Sequence, residues 1–455
     1  MIKILIIATG IFFIPLLANS QHWQGVQYGL NYPPRCFYAD SVDNALYIGG
    51  YFYDKGLYKW DGQQLIHYDK QGYFSSIWSI ARYKGILYAA GEFIDTISNS
   101  TYYFAKWNEA ESKWDSLPLK ISNVFNLKVI NNELYFMGDF WMVDSSPAKG
   151  LAKWDGNQWT EIYNLPFAGS GSYIIDDIAL YKGELYVSGG FYNDTINNII
   201  KYDGVNWKNV GCGMYGDTWV QKMIVYKNEL YVAGLFYKQD GNAGNFIQRW
   251  DGYQWKDVGG SVLGLSHTLS DNGQIHDMKI FNEELYVGGV FSYAGGVPAQ
   301  YIAKWNGTEW CGLGGNFSNR IVALGFYKDT LYVGCGMKVD GDTVNYLAKW
   351  YGGNYTDTCG VDNSGIEKTE LQDMNISIYP NPASTFVNIE IELKEKQDFI
   401  ISIYNHIGEK VFEETERNKT GNFSKNVNIS GLSSGLYILN VSIQKRVYSK
   451  KLIKL

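Results

Sequence analysis

Cysteine, histidine and excess positive charge are all scarce in this chain of 455 residues, and each scarcity closes off a class of function. Lys and Arg number 39 against 46 Asp and Glu, a formal charge of −7, which speaks against the basic face that a nucleic-acid partner requires. The five cysteines (Cys36, Cys212, Cys311, Cys335, Cys359) are odd in number and show no CxxC spacing, so neither a zinc site nor a dense disulfide framework is expected. Of the five histidines, only His267 and His276 fall close together, nine apart with no cysteine near, and they read as polar loop residues; no metal and no cofactor is expected. Serine-hydrolase elbows, H-E-x-x-H, EF-hand and phosphate-loop patterns are missing. With no catalytic motif in view, the expectation is that the chain is not an enzyme. Beyond the first twenty residues no apolar run approaches the ~20 residues of a membrane span, so no transmembrane anchor is expected.

Glycine and aromatics are plentiful: 50 Gly, 37 Tyr, 22 Phe and 15 Trp against 9 Pro, a composition suited to short strands joined by tight turns. The N-terminus reads as a signal peptide over residues 1–20, with Lys3, an apolar stretch from Ile4 to Leu17, and Ala18-Asn19-Ser20 before a cleavage expected between Ser20 and Gln21.

The body of the chain is a repeat. The pattern L-Y-x-x-G-x-F, with substitutions, recurs at Tyr47, Tyr88, Tyr135, Tyr186, Tyr231, Tyr286 and Tyr332, at spacings of 41 to 55 residues. A glycine stands three after the tyrosine in six copies and is Cys335 in the seventh; its expected cause is close approach of a neighbouring strand, where a Cβ would clash. Each copy continues with a basic residue and an aromatic, then in five copies an Asp-Gly or Asn-Gly turn of the hairpin type, as in Lys153-Trp154-Asp155-Gly156. An apolar strand precedes each L-Y strand, so every unit reads as four short antiparallel strands, the period of a propeller blade. Trp23 lies 24 residues before Tyr47, as Trp207 does before Tyr231, so the chain opens with an orphan fourth strand that can complete the last blade near Trp350. The fold class expected is all-β: a seven-bladed β-propeller of four-stranded blades over residues 21–360, followed by a small immunoglobulin-like β-sandwich. The repeat resembles kelch, which implies architecture and not function.

From 361 to 373 the composition turns polar, as a linker does. Residues 374–455 carry Tyr379-Pro380-Asn381-Pro382-Ala383, then Ile407-Gly408-Glu409-Lys410-Val411, Leu432-Ser433-Ser434-Gly435-Leu436-Tyr437 and a basic apolar tail from Lys450 to Leu455. In that order these resemble the type A sorting domain of the type IX secretion system of Bacteroidetes. The resemblance implies passage through the periplasm to the outer-membrane surface or the medium, with the secretion machinery as partner.

Other candidates rest on single residues. Cys36 and Cys359, flanking the repeat array, are the expected disulfide pair. Asp-Thr-aliphatic triplets make Thr96, Thr195 and Thr343 candidate O-glycosylation sites, by resemblance to the sequon of exported Bacteroidetes proteins. The long loops lie on the face opposite the tight turns, and they and their flanks offer Trp141, Tyr192, Trp219, Tyr237 and Tyr293 as binding residues. The basic residue before each third-strand aromatic reads as a peripheral Lys stem with its charge in water. The function expected is a secreted or surface binding module for a glycan or protein ligand. The alternative is a polysaccharide-active enzyme using carboxylates over the propeller channel.

Overall fold

The computed structural model describes residues 23–27, 29–52, 56–68, 74–95, 100–117, 119–162, 165–166, 173–192, 197–215, 218–264, 273–350, 359, 376–405, 410–443 and 446–455. The expected signal peptide with its Ser20–Gln21 junction, His267, Thr96 and Thr195 lie outside them. The chain divides into two compact units, Met1–Val361 and Asp362–Leu455.

The first unit is a seven-bladed β-propeller, seven antiparallel sheets of four strands each. The innermost strands are Pro34–Asp40, Phe74–Tyr83, Val124–Ile130, Ile174–Tyr181, Trp219–Tyr226, Gln274–Phe281 and Ala323–Tyr327, in blades 1 to 7, and each touches the next in a closed cycle. Blade 7 takes its outermost strand from the start of the chain, with Trp23–Gly25 pairing Trp23↔Trp350 to Gly25↔Ala348. Trp23 is buried edge-on between Phe317 and Trp350, each ring centroid 5.0 Å away. Closure by this strand removes the open edges a row of sheets would otherwise expose.

The repeated residues hold blade to blade. The indole N–H of Trp60, Trp154 and Trp305 donates to the hydroxyl of Tyr332, Tyr88 and Tyr231 in the preceding blade. On the tight-turn face Lys84, Lys182, Lys227 and Lys328 donate to the carbonyl oxygens of Asp155, Asp251, Asn306 and Asp61 in the following blade. These four lysines take positive φ angles of 46 to 50° in their turns. The junction of blade 7 to blade 1 therefore carries the same pair of contacts as those between blades 2 and 3 and between blades 5 and 6. The basic residue of the third strand is engaged within its own blade: Lys153, Lys201, Arg249 and Lys304 pair with Glu133, Glu184, Glu229 and Glu284.

The expected Cys36–Cys359 bridge is corrected: Cys359 is bonded to Cys311. Cys311 belongs to the outermost strand of blade 6, Trp310–Gly312, whereas Cys36 lies on the innermost strand of blade 1. A blade's width separates those two kinds of position, and burial pushes the free Cys36 thiol up to about 12.

In the second unit one sandwich-like sheet of five strands orders Ile376–Tyr379, Phe386–Tyr404, Gly435–Ile443 and Arg446–Lys454, with Lys410–Asn428 pairing along Phe386–Tyr404. Alternating Val387, Ile389, Ile391 and Leu393, then Phe399, Ile401 and Ile403, face a core shared with Leu439, Val441 and Leu452. Among the described residues no helix is long and apolar enough to cross a membrane.

Candidate functional site in the axial cavity

The repeat glycine has a consequence at the propeller axis. In blades 2 to 6 a Cβ on Gly91, Gly138, Gly189, Gly234 or Gly289 would lie 1.9 to 2.0 Å from a backbone oxygen of the inner strand, namely that of Ser76, Asn123, Ile174, Trp219 or Gln274. The inner strand carries a β-bulge there, seen as a register shift in each of the five blades; blade 1 has the same shift, and there a Cβ on Gly50 would meet the Phe52 ring. Blade 7, where the glycine is replaced by Cys335, pairs from Ala323↔Gly334 onward without a shift. A bulge re-aims side chains beside it. The extra residue is Arg35, Trp78, Phe125, Asp176, Gln221 and His276 in blades 1 to 6, and Val322 is its counterpart in blade 7. The next residue is Cys36, Ser79, Asn126, Asp177, Lys222, Asp277 and Ala323.

A cavity of about 450 Å³ runs along these strands, lined among others by Arg35, Trp78, Arg82, Lys128, Lys222, His276 and Lys279, with Asp177 and Asp277. Both aspartates tie neighbouring blades together. Asp177 accepts the backbone N–H of Met223 at 2.8 Å and pairs with Lys128 at 2.8 Å, and Asp277 accepts the N–H of Leu324 at 2.9 Å. Ser79 does the same for Leu127, and the Asn126 amide donates to the Asp176 carbonyl. Buried polar groups so satisfied fix the inner ring.

Three other groups are less settled. Asp176, at the blade 4 bulge next to the lining residue Asp177 but not itself among the lining residues, is pushed up to about 7 by burial, although the Trp219 indole donates to it and Lys222 lies near. His276 is pushed down to about 4 by burial, with Arg320 adding to the effect, and its buried Nε2 has no hydrogen-bond partner. Burial works against the charge on Lys222, but Asp277, Asp177 and Asp176 outweigh it and its pKa is raised. A carboxyl held protonated near neutrality and an imidazole held neutral are the states of a proton donor and a proton acceptor.

Of the four expected binding aromatics whose side chains are described, none lines the cavity, and Trp219 reaches only Asp176 beside it. Trp141 packs half-buried against Tyr173 at 5.5 Å, and Tyr237 against Phe246 at 5.2 Å, over separate blade cores. Tyr293 belongs to a small loop sheet with Leu263 and Pro298, and the Tyr192 side chain lies outside the description. Thr343 sits exposed on a loop hairpin opposite Lys338. His276, read from sequence as a loop residue, stands in the inner strand Gln274–Phe281. A signal for the site was present: Trp78, Phe125, Asp176, Gln221, His276 and Val322 each stand ten residues before a repeat tyrosine.

Residues 377–455 match the family described as the secretion system C-terminal sorting domain. The C-terminal unit is thus a type IX sorting domain, which implies export to the cell surface or the medium and contact with the secretion machinery. No match is found among curated proteins. Among solved structures, the propeller-bearing GH74 enzyme of Niastella koreensis is 11% identical, with 94% of this chain and 66% of that one covered and a TM-score of 0.44. An exo-β-1,3-galactanase of Phanerochaete chrysosporium is 12% identical over 86% of this chain and 96% of that one, with a TM-score of 0.29. This chain spans just under two thirds of the first enzyme's length. The expectation that the chain is not an enzyme is withdrawn, because the two structures it is similar to are glycoside hydrolases.

Proposed function

We propose that the exported propeller cleaves a polysaccharide at its axial cavity, with Asp176 as proton donor and His276 as proton acceptor. The observation that carries this reading is the opposed titration of the two groups, one near 7 and one near 4, at equivalent bulge positions of blades 4 and 6. Between those values Asp176 holds a proton to give to a leaving glycosidic oxygen, and His276 is free to take one from the attacking water. Aromatic rings at the site suit sugar faces: Trp78 lines the cavity together with His276, and Trp219 donates to Asp176. The same reading takes residues 1–20 as the signal peptide, 21–360 as a kelch-like array, 361–373 as a linker and Thr343 as a glycan acceptor.

The test is release of new reducing ends from a panel of plant, algal and fungal polysaccharides by the full-length secreted protein. Asp176→Asn and His276→Gln should each slow release by roughly a hundredfold while the fold persists. Full activity in both variants, or no release from any member of the panel, would overturn the reading.

A further inference from the structure

The cavity collects positive charge in a chain that is negative overall. Five cations line it, Arg35, Arg82, Lys128, Lys222 and Lys279, against the carboxylates of Asp177 and Asp277. Three of the five are accounted for: Arg82 is held by Asp40 and Asp43 at 2.6 Å each, Lys128 by Asp177 at 2.8 Å, and Lys279 stands 3.8 Å from Asp277. Lys222 and Arg35 have no carboxylate within 4.0 Å among the described residues. Lys222 is half-buried on the inner strand of blade 5, in the ring position that holds Asp177 and Asp277 in the flanking blades, and Arg35 is exposed at the bulge of blade 1. Asp277, Asp177 and Asp176 favour the charge on Lys222 without bonding it directly, which leaves its ammonium protons for an incoming acceptor. The cavity also presents the unpartnered Nε2 of His276, one blade from Lys222.

We propose that the saccharide bound in the axial cavity is anionic, and that Lys222 and Arg35 hold its carboxylate or sulfate group. This rests on the polysaccharide reading above and names its substrate class. A sugar anion gives Lys222 the acceptor the protein withholds, while its ring lies against the aromatic rim at Trp78. The neutral part of the ligand is left to stacking, so charge decides between an acidic and a neutral sugar of the same length.

Titration calorimetry on the full-length protein tests this directly, with a trigalacturonate, a sulfated trisaccharide and a neutral trisaccharide as probes. At least one anionic probe should bind roughly tenfold more tightly than the neutral one, with the preference shrinking as salt is raised. The carboxylate and sulfate arms identify which anion is held. Lys222→Gln should weaken the anionic probe roughly tenfold and leave the neutral one unchanged. Arg35→Gln, at an exposed position where folding is not at stake, should weaken it in the same direction. Equal binding of anionic and neutral probes, no binding of either anion, or unchanged anion affinity in both variants overturns the proposal. Tight anion binding without cleavage would leave it standing and remove the cleavage reading; cleavage of neutral glycans with no anion preference would do the reverse.

Discussion

On the tight-turn face, Lys84, Lys182, Lys227 and Lys328 make one contact four times over. Along the axis, the bulge positions of the same inner strands hold Arg35, Trp78, Phe125, Asp176, Gln221, His276 and Val322, no two alike. Both regions belong to one repeat, so the difference separates two demands. At the four junctions that carry this contact the chemistry is the same, because the geometry is the same. Where seven strands converge on one space, seven different side chains make a cavity with direction and charge. Function in a repeat fold is then to be sought where the repeat breaks down in residue type while persisting in backbone.

The comparison breaks most visibly at the clasp. Trp23→Ala removes a fully packed indole at the one junction supplied from the far end of the chain, and should cost about 3 to 5 kcal/mol, read as a lowered denaturant midpoint. A loss under 1 kcal/mol would mean the ring does not depend on this strand.

Asp176→Asn sharpens the contrast through pH. The carboxyl titrates at about 7 in the fold against 3.8 unfolded, so its contribution to stability is fully present below 3.8 and is lost as the pH rises through 7. The asparagine keeps an acceptor for Trp219 without the charge. The variant should therefore match the parent at pH 4 and exceed it at pH 8, by up to about 4 kcal/mol. A pH-independent difference would contradict the buried-acid assignment.

Gly189→Val should cost about 3 kcal/mol, because its Cβ would stand 1.9 Å from the Ile174 oxygen and the bulge that aims Asp176 would have to close. Binding and cleavage should fall along with stability. At the other extreme, Lys182→Ala should cost about 0.5 kcal/mol and leave cleavage untouched, since it removes an exposed contact on the turn face. Loss of activity there would place the functional face at the wrong end of the axis.

Much of the fold was legible in the sequence. The Tyr-to-Gly spacing marks the second strand, the Asp-Gly turns mark the third and fourth, and the 24-residue offset of Trp23 marks the clasp. The glycine was legible as a close approach, and the bulge behind it is what Gly91 and its counterparts face. The site was less legible, because the eye follows residues that repeat. Asp176, His276 and Lys222 occupy fixed offsets before each tyrosine without sharing a residue type, and their titration comes from burial at the axis, which a linear pattern does not carry. The aromatics of Trp141 and Tyr237 were conspicuous for the opposite reason: they stand in unlike loops but pack down onto blade cores. The disulfide shows a similar limit. Cys36 and Cys359 flank the array in sequence, yet sequence order does not say which is on an inner and which is near an outer strand.

The central claim is that the axis holds an acid and a base set apart by burial, and the pH dependence of cleavage tests it most directly. With Asp176 near 7 and His276 near 4, kcat/KM for the polysaccharide that gives the most reducing ends should be bell-shaped, falling below about 4 as His276 takes a proton and above about 7 as Asp176 loses one. Asp176→Asn should abolish the alkaline limb together with most of the rate. A profile flat from pH 4 to 8, or one whose limbs survive both Asp176→Asn and His276→Gln, would contradict the account.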